Sequence, residues 1–361
     1  LKNKRRRGQV GRDAQRRGSV GRIRVEDEDR DDNVRGQKIL RGRDNVAALP
    51  DDASQAELGA ETRPGRVVAI RGSDAFVESA DGSETVVCRM RKSTRIPHPG
   101  ESALTVGDDV VWIAEGTPPF VLTEVGPRRT RLVRLRRGHE THVICANVDF
   151  GVVVASADSP SFKPRLVDRY LIAAGQGGLV PMLVLNKIDL LRGESAASLL
   201  APYAALDVHA FAVSATTGEG IEALVGALKD RTSVFSGQSG VGKTSLLNHL
   251  IPDLAARTQQ VQKGTGKGRH TTTTSTLYRF PFGGAVVDTP GVRAFALYEP
   301  TLADLEQFFP EVVEAARECR FSDCRHAGEA GCAVPDAIAA GRIVRARFES
   351  FLALSDEITG H

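Results

Sequence analysis

The sequence predicts a multidomain chain: a small all-β domain, then a central α/β domain built around a phosphate loop, then a mainly helical C-terminal domain carrying metal ligands. Three observations predict it. Short β-prone runs with turn residues between them occupy residues 66–135. Strand-like and helix-like runs then alternate, and one β-prone run leads into Gly237-Gln238-Ser239-Gly240-Val241-Gly242-Lys243-Thr244, which fits G-x-x-x-x-G-K-[ST]. Near the C-terminus, Cys319, Cys324 and Cys332 gather around His326.

Length and composition set the bounds. A chain of 361 residues, 41% hydrophobic, is long enough for two or three domains with real cores. Its formal net charge of +3 hides an uneven distribution. Five cysteines, an odd number, do not make a secreted disulfide framework, so a reducing compartment with a metal site is expected. The charged N-terminus has no apolar stretch behind it, and no apolar run approaches the ~20 residues of a membrane span. The chain is therefore read as soluble and cytoplasmic, with no membrane partner, and as a monomer. It begins at Leu1 rather than Met, which suggests a trimmed start or an unusual start codon.

Residues 1–61 are read as a disordered basic tail. Lys2, Lys4, Arg5, Arg6, Arg7, Arg12, Arg16 and Arg17 precede an acidic block at 26–32, with almost no apolar periodicity. Such a segment buries too little surface to offset its ordering entropy. It is either an arm that tracks RNA phosphates or a solvated tail.

Residues 62–136 contain six β-prone runs, at 66–70, 75–78, 85–90, 109–114, 120–124 and 130–135. Their number and spacing suit an OB-type β-barrel that binds RNA. A purely structural β domain is the alternative. Basic residues crowd its ends: Arg89, Arg91, Lys92 and Arg95, then Arg128, Arg129, Arg131, Arg134, Arg136 and Arg137. The few aromatics available for stacking are Phe76, Trp112 and Phe120. Contacts leaning on phosphates would position RNA without reading its sequence. Cys88 lies in a strand pattern and is expected to be a small buried apolar group.

Residues 140–300 form the nucleotide domain. The buried run at 180–185 leads into Asn186-Lys187-Ile188-Asp189, an N-K-x-D element. The Asp189 carboxylate can accept from guanine N1–H and the exocyclic amine together, an arrangement adenine does not offer. The stem of Lys187 can cover the base, and Asn186 can tie the loop to its neighbours. The run at 210–213 ends at Ser214-Ala215, a short S-A element whose Ala215 N–H could donate to guanine O6. In the phosphate loop, backbone N–H groups and a helix N-terminus make an anion cradle running to Ser245. Lys243 would sit on the β/γ-phosphates, and the Thr244 hydroxyl would ligate Mg²⁺. GTP and GDP are the expected ligands.

The phosphate loop follows the base-recognition elements, whereas most GTPases place it first. The domain is therefore read as circularly permuted, which close surface termini permit. Downstream, Arg269-His270-Thr271-Thr272-Thr273 offers a switch threonine for Mg²⁺, with Thr272 favoured. Asp288-Thr289-Pro290-Gly291 fits D-x-x-G: Asp288 would hold the Mg²⁺ shell, and the Gly291 N–H would sense the γ-phosphate. Val292 stands where Ras-like enzymes place a glutamine that orients water. His270 is the candidate to replace that glutamine, the alternative being a role in the fold or in RNA contact.

Residues 301–361 begin with helix-like runs at 302–309 and 312–317. Cys319, Cys324, His326 and Cys332 follow, a C-x₄-C-x-H-x₅-C arrangement. Three thiolates and an imidazole suit one tetrahedral, structural Zn²⁺. The alternative is buried thiols beside an unrelated histidine. One further helix is expected over 336–351.

The order N-K-x-D, S-A, phosphate loop, R-H-T-T-T, D-T-P-G, C-x₄-C-x-H-x₅-C resembles the ribosome small-subunit-dependent GTPase A family, the RsgA or YjeQ proteins. Smaller matching pieces are Val106-Gly107-Asp108, Ala146-Asn147-Val148-Asp149 and Asp168-Arg169-Tyr170-Leu171. The resemblance spans residue 62 to the end. It implies an OB domain, a permuted GTPase and a zinc domain. It also implies binding to the 30S subunit and its 16S rRNA, late small-subunit maturation, and GTP hydrolysis stimulated by that subunit. The family's zinc ligands fall on Cys319, Cys324, His326 and Cys332, and its proposed catalytic histidine on His270. A GTP-gated rRNA-binding switch with incidental turnover is the alternative, motivated by Val292.

Overall fold

A computed structural model describes residues 61–98, 100–135, 141–193, 195–204, 206, 208–252, 254, 275–288 and 300–360. The basic tail, Thr272, His270 and Gly291 lie outside the described residues.

Five strands form the first unit: β1 (Thr62–Arg71), β2 (Asp74–Ser79), β3 (Thr85–Arg95), β4 (Asp109–Ile113) and β5 (Phe120–Val125). The pairings β1–β2, β2–β3, β3–β5, β5–β4 and β4–β1 close them into an OB-like barrel. Alternation along each strand sends Val67, Val77, Cys88, Trp112 and Leu122 inward, all buried. Full burial of such side chains contributes about 1.5–3 kcal/mol each for the aliphatic ones. Cys88 is thus a core residue, as its pattern suggested.

The sixth β-prone run does not join the barrel. It forms β6 (Arg131–Leu135), which pairs with β7 (Thr141–Ala146) as a separate two-stranded ribbon. The reason is burial: Leu132, Ile144 and Cys145 pack into the core of the α/β region, beside Val148 and Leu171.

The α/β region contains β8 (Phe150–Ser156), α1 (Pro164–Gln176), β9 (Val180–Asn186), α2 (Ala196–Ala204), β10 (His209–Ala212) and α3 (Ile221–Leu228). Then come β11 (Thr232–Ser236), α4 (Lys243–Leu250), β12 (Thr276–Arg279) and β13 (Ala285–Asp288). The strand order is β10-β9-β8-β11-β13-β12, parallel except for the antiparallel pair β12–β13. Within the α/β region, β8, β9 and β10, which precede β11, lie on one side of it, and β12 and β13, which follow, lie on the other. β11 therefore stands at a topological switch point, where such sheets open a crevice at their carboxyl ends. The barrel is welded to this sheet, because β1 pairs with the edge strand β12 at Ala69 and Thr276.

The C-terminal helices are α5 (Leu302–Phe308), α6 (Pro310–Ala316), α7 (Val334–Ala339) and α8 (Arg345–Thr359). Thr301 and Asp304 form a capping box at the start of α5. The single helix expected over 336–351 is broken into α7 and α8. Gly341 takes φ +72°, and the Arg342 N–H turns back to the Ala337 carbonyl at 2.9 Å, so that Ile343 is buried. Leu305, Phe309, Val312, Val334 and Leu354 form the core here, together with Ile172 from α1. Among the described residues, no helix is long and apolar enough to cross a membrane.

Candidate functional site

The predicted nucleotide residues gather at the carboxyl ends of the parallel strands. Asn186 ends β9, Ser214 and Ala215 follow β10, the phosphate loop follows β11, and Asp288 ends β13. Gly237 has φ +144°, and a Cβ there would fall 2.1 Å from the Val154 carbonyl oxygen, so a larger residue cannot take its place. Gly242, at φ +92°, caps α4 and leaves room for the Asn186 amide, which a Cβ would meet at 2.3 Å.

Asn186 is the hub. Its Nδ2 donates to the Val241 carbonyl at 2.9 Å, and its Oδ1 accepts from the Ala215 N–H at 3.1 Å. One buried side chain thus joins the N-K-x-D turn, the phosphate loop and the S-A element. The Ala215 amide, expected to face guanine O6, is engaged with Asn186 here, so it would have to share that bond with a base. Lys187, in the left-handed region at φ +65°, donates to the Gly240 carbonyl at 2.6 Å and to the Ser159 carbonyl. Its stem is thereby laid along the loop. Asp189 sits exposed in a short 3₁₀ turn, Ile188–Leu190. Buried Ser214 accepts from the Thr217 N–H at 3.0 Å. Ser239, Thr244 and Ser245 are exposed, whereas Gln238 is half-buried and Val241 buried.

Among the described residues, Lys243 and Asp288 form no ion pair. Lys243 Nζ donates to the Gly237 and Gln238 carbonyls at 2.5 and 2.9 Å, and burial pushes its pKa down. Burial likewise pushes the Asp288 carboxyl up. A polyanion with a divalent cation would relieve both. Thr276 pairs with Asp288 across β12–β13 and with Ala69 across β12–β1, so the barrel lies two strands from this carboxylate.

The four C-terminal ligand candidates also converge. Their donor atoms lie within 4.8 Å of one another. Cys319 Sγ is 3.6 Å and Cys332 Sγ 3.5 Å from His326 Nδ1, and the two sulfurs are 4.0 Å apart. A tetrahedron with Zn–S ≈ 2.3 Å and Zn–N ≈ 2.05 Å has edges of about 3.8 Å (S···S) and 3.6 Å (S···N), which the separations among Cys319, Cys332 and His326 match, with Cys324 Sγ within 4.8 Å of each. His326 reaches this position only from the left-handed region, φ +62°, at a backbone cost of about 1–2 kcal/mol. The Ala333 N–H donates to Cys319 Sγ at 3.4 Å, an outer contact that orients the sulfur. These cysteines form no disulfide.

Two barrel expectations are corrected. Arg128, counted among the phosphate-binding residues, is buried and bound to Asp108 at 2.8 Å and to Glu101 at 3.0 Å. Trp112, named for base stacking, lies in the barrel core, with its ring centroid 5.0 Å from that of Phe120. Charge and aromaticity in a strand are visible in sequence, but the face they take is decided by pairing.

Sequence reasoning also missed Arg347. It donates to Asp168 of α1 at 2.7 Å, to Glu311 at 2.9 Å and to the Phe308 carbonyl at 2.7 Å. The only hint was Asp168 in Asp168-Arg169-Tyr170-Leu171, a stretch quoted without a role.

A family model described as RsgA GTPase matches residues 125–298. The small ribosomal subunit biogenesis GTPase RsgA of Chlorobaculum tepidum is 42% identical over 312 residues, covering 82% of this chain and 99% of the relative. That of Azotobacter vinelandii is 39% identical over 324 residues, covering 89% and 92%. Among solved structures, YjeQ from Thermotoga maritima aligns with TM-score 0.66 at 30% identity, over 83% of this chain and all of that one. YloQ, a circularly permuted GTPase, aligns with TM-score 0.61 at 26% identity, over 83% and 96%. With its strands in this order and relatives this similar along most of its length, the chain belongs to the RsgA GTPase family.

Proposed function

We propose that this chain binds GTP in the crevice at the carboxyl end of β11 and hydrolyses it to GDP and phosphate, in the biogenesis of the small ribosomal subunit. The observation that carries the reading is Asn186, whose amide joins the three loops that a guanine nucleotide would span. Asp189 reads the guanine edge, Lys187 covers the base, and Ser214 and Ala215 close the base pocket. Residues 237–245 cradle the phosphates, Lys243 neutralises the β/γ-phosphates, and Thr244 and Asp288 hold Mg²⁺. Water attacks the γ-phosphorus, the bond to the β–γ bridging oxygen breaks, and GDP leaves. In this reading Thr272 and the Gly291 N–H attend the γ-phosphate, and His270 orients the water.

Cys319, Cys324, His326 and Cys332 hold one structural Zn²⁺, their thiolates suiting a borderline-soft ion with no open position. The partner is the 30S subunit through 16S rRNA, and the chain acts as a cytoplasmic monomer. The names of the relatives support the ribosomal role. The second reading, a GTP-gated rRNA-binding switch, is favoured by Val292 in place of glutamine.

GTP turnover with and without purified 30S subunits, for the wild type and His270→Ala, separates these. Stimulation removed by the substitution, with GTP binding retained, supports the hydrolase reading and His270. Stimulation that survives rejects His270. No stimulation favours the gated switch.

A further inference from the structure

We propose that α1 is a strut between the phosphate loop and the metal cluster, jointed at Arg347, so that metal binding and nucleotide binding are reciprocally coupled. This rests on the nucleotide and metal assignments proposed above.

The nucleotide end of the strut is the segment leading into α1. The Ser159 carbonyl accepts from Lys187 Nζ, and Pro160 lies against Gly240, where a Cβ would stand 3.6 Å from its Cδ. Leu166, Val167 and Tyr170 of α1 line a small cavity of about 20 Å³ together with Gln238 and Val241 of the phosphate loop. The hydroxyl of Ser156, which also lines this cavity, is buried without a partner among the described residues. α1 and the phosphate loop thus pack on a shared lining, and small displacements of α1 change the packing under the loop.

The metal end runs through aromatic rings. The His326 ring is 6.3 Å from that of Phe351, and Phe351 meets Phe309 edge-on at 5.6 Å. The Arg347 guanidinium lies 4.1 Å from the Phe309 centroid and 4.8 Å from that of Phe308. From this box it donates to Asp168 on α1. Further along the same helices, Arg169 of α1 pairs with Glu357 of α8 at 2.7 Å, and Gln176 donates to Asp304 at 2.7 Å.

The joint is a poor elastic link and a good switch. A single guanidinium serves two carboxylates, Asp168 and Glu311, and both Arg347 and Asp168 are buried. Burial drives the Asp168 carboxyl toward its neutral form, with Arg347 opposing it. A buried pair with this geometry is either made or broken, since intermediate separations leave both charges desolvated and unpaired. Metal binding crosslinks residues 319–332 and fixes the face on which Phe351 rests. That holds the aromatic box, the box holds Arg347, and Arg347 holds α1 against the nucleotide loops. Arg347 is a positioning residue, since it touches neither ligand. Linkage then requires that nucleotide binding strengthen metal binding by the same factor.

The test uses the full chain, metal-loaded and metal-stripped, with chelator removed and Mg²⁺ restored. GDP affinity is read by titration of a fluorescent GDP analogue. Zinc affinity is read by competition with a chromophoric chelator, with and without saturating GDP. The expected result is GDP binding about fivefold or more weaker after stripping, and zinc binding tightened by GDP by the same factor. In Arg347→Met and Asp168→Asn that factor should fall to one while zinc still binds stoichiometrically. Asp168→Asn keeps the volume of the site and carries the test if Arg347→Met loses its metal. Equal GDP affinity for loaded and stripped wild type, or an unchanged factor in the variants, overturns the proposal. Failure of loaded wild type to bind GDP would instead refute the nucleotide assignment beneath it.

Discussion

The side-chain amide of Asn186 donates to the Val241 carbonyl at 2.9 Å, joining residues 55 apart in the chain. The same side chain accepts from Ala215, so the base-side and phosphate-side loops share one buried anchor. Asn186→Ala would orphan the Val241 carbonyl and the Ala215 N–H, at about 1–3 kcal/mol for each group left unpaired. The expected outcome is a lower urea midpoint and GDP affinity reduced about tenfold for each 1.4 kcal/mol transmitted to the site. Calorimetric titration beside denaturant unfolding checks both.

Lys243 is expected to trade stability for binding. Burial holds its folded-state pKa below its unfolded value. A depressed lysine costs nothing above its unfolded pKa, costs more as pH falls, and carries the full penalty below the folded pKa. Nucleotide-free stability should therefore rise from neutral toward alkaline pH through this group. Lys243→Met should melt no lower than wild type without nucleotide, and should show no GDP-induced rise in Tm. Thermal melts at pH 7 and 9, with and without GDP, read both effects.

Asp189 is exposed in its turn, and the proposed function assigns its carboxylate two donors of the guanine edge. Asp189→Asn replaces one acceptor by an N–H donor. Guanine's exocyclic amine then faces a donor, whereas xanthine offers a carbonyl at that position. GDP affinity should drop by about ten- to a hundredfold, as expected for a mismatched polar contact worth 1–3 kcal/mol, and xanthosine diphosphate should gain relative affinity. Competition between the two nucleotides measures the change.

Arg128 and Lys92 should separate fold from RNA contact. Arg128→Met leaves buried Asp108 without its cation, a loss of about 3–5 kcal/mol, while half-buried Glu101 keeps Arg131 at 3.0 Å, with no change in the salt dependence of RNA binding. Exposed Lys92, changed to Ala, should leave stability unaltered and reduce the log–log salt slope by about one if it meets a phosphate. Binding of a 16S rRNA fragment across a salt series distinguishes the two.

The candidate nucleotide loops could be picked out because each is a contiguous stretch with its own backbone requirement. Gly237 and Gly242 hold left-handed or tightly approached positions that few other residues tolerate, so their spacing is written in the chain. The four metal-ligand candidates could be picked out because soft donors are rare in this sequence, although only the fold brings their atoms within 4.8 Å. The break between α7 and α8 was missed because one helical glycine costs only ~1 kcal/mol, too little to end a helix without the burial of Ile343. The departure of β6 from the barrel was missed because a β-prone run shows that it will pair, and not with what.

The sequence by itself determined the family motifs, their permuted order, the donor types of the Cys–His cluster and the alternation that builds a barrel. These are local properties of spacing and side-chain chemistry. Only the tertiary structure decided which arginines are solvent-facing, which aromatics are core, and that the C-terminal helices dock on α1. Arg347 and Asp168 stand 179 residues apart, and their pairing follows from packing that excludes water around both. A buried ion pair of this kind depends on the partners that the fold brings together, and no stretch of sequence carries that information alone.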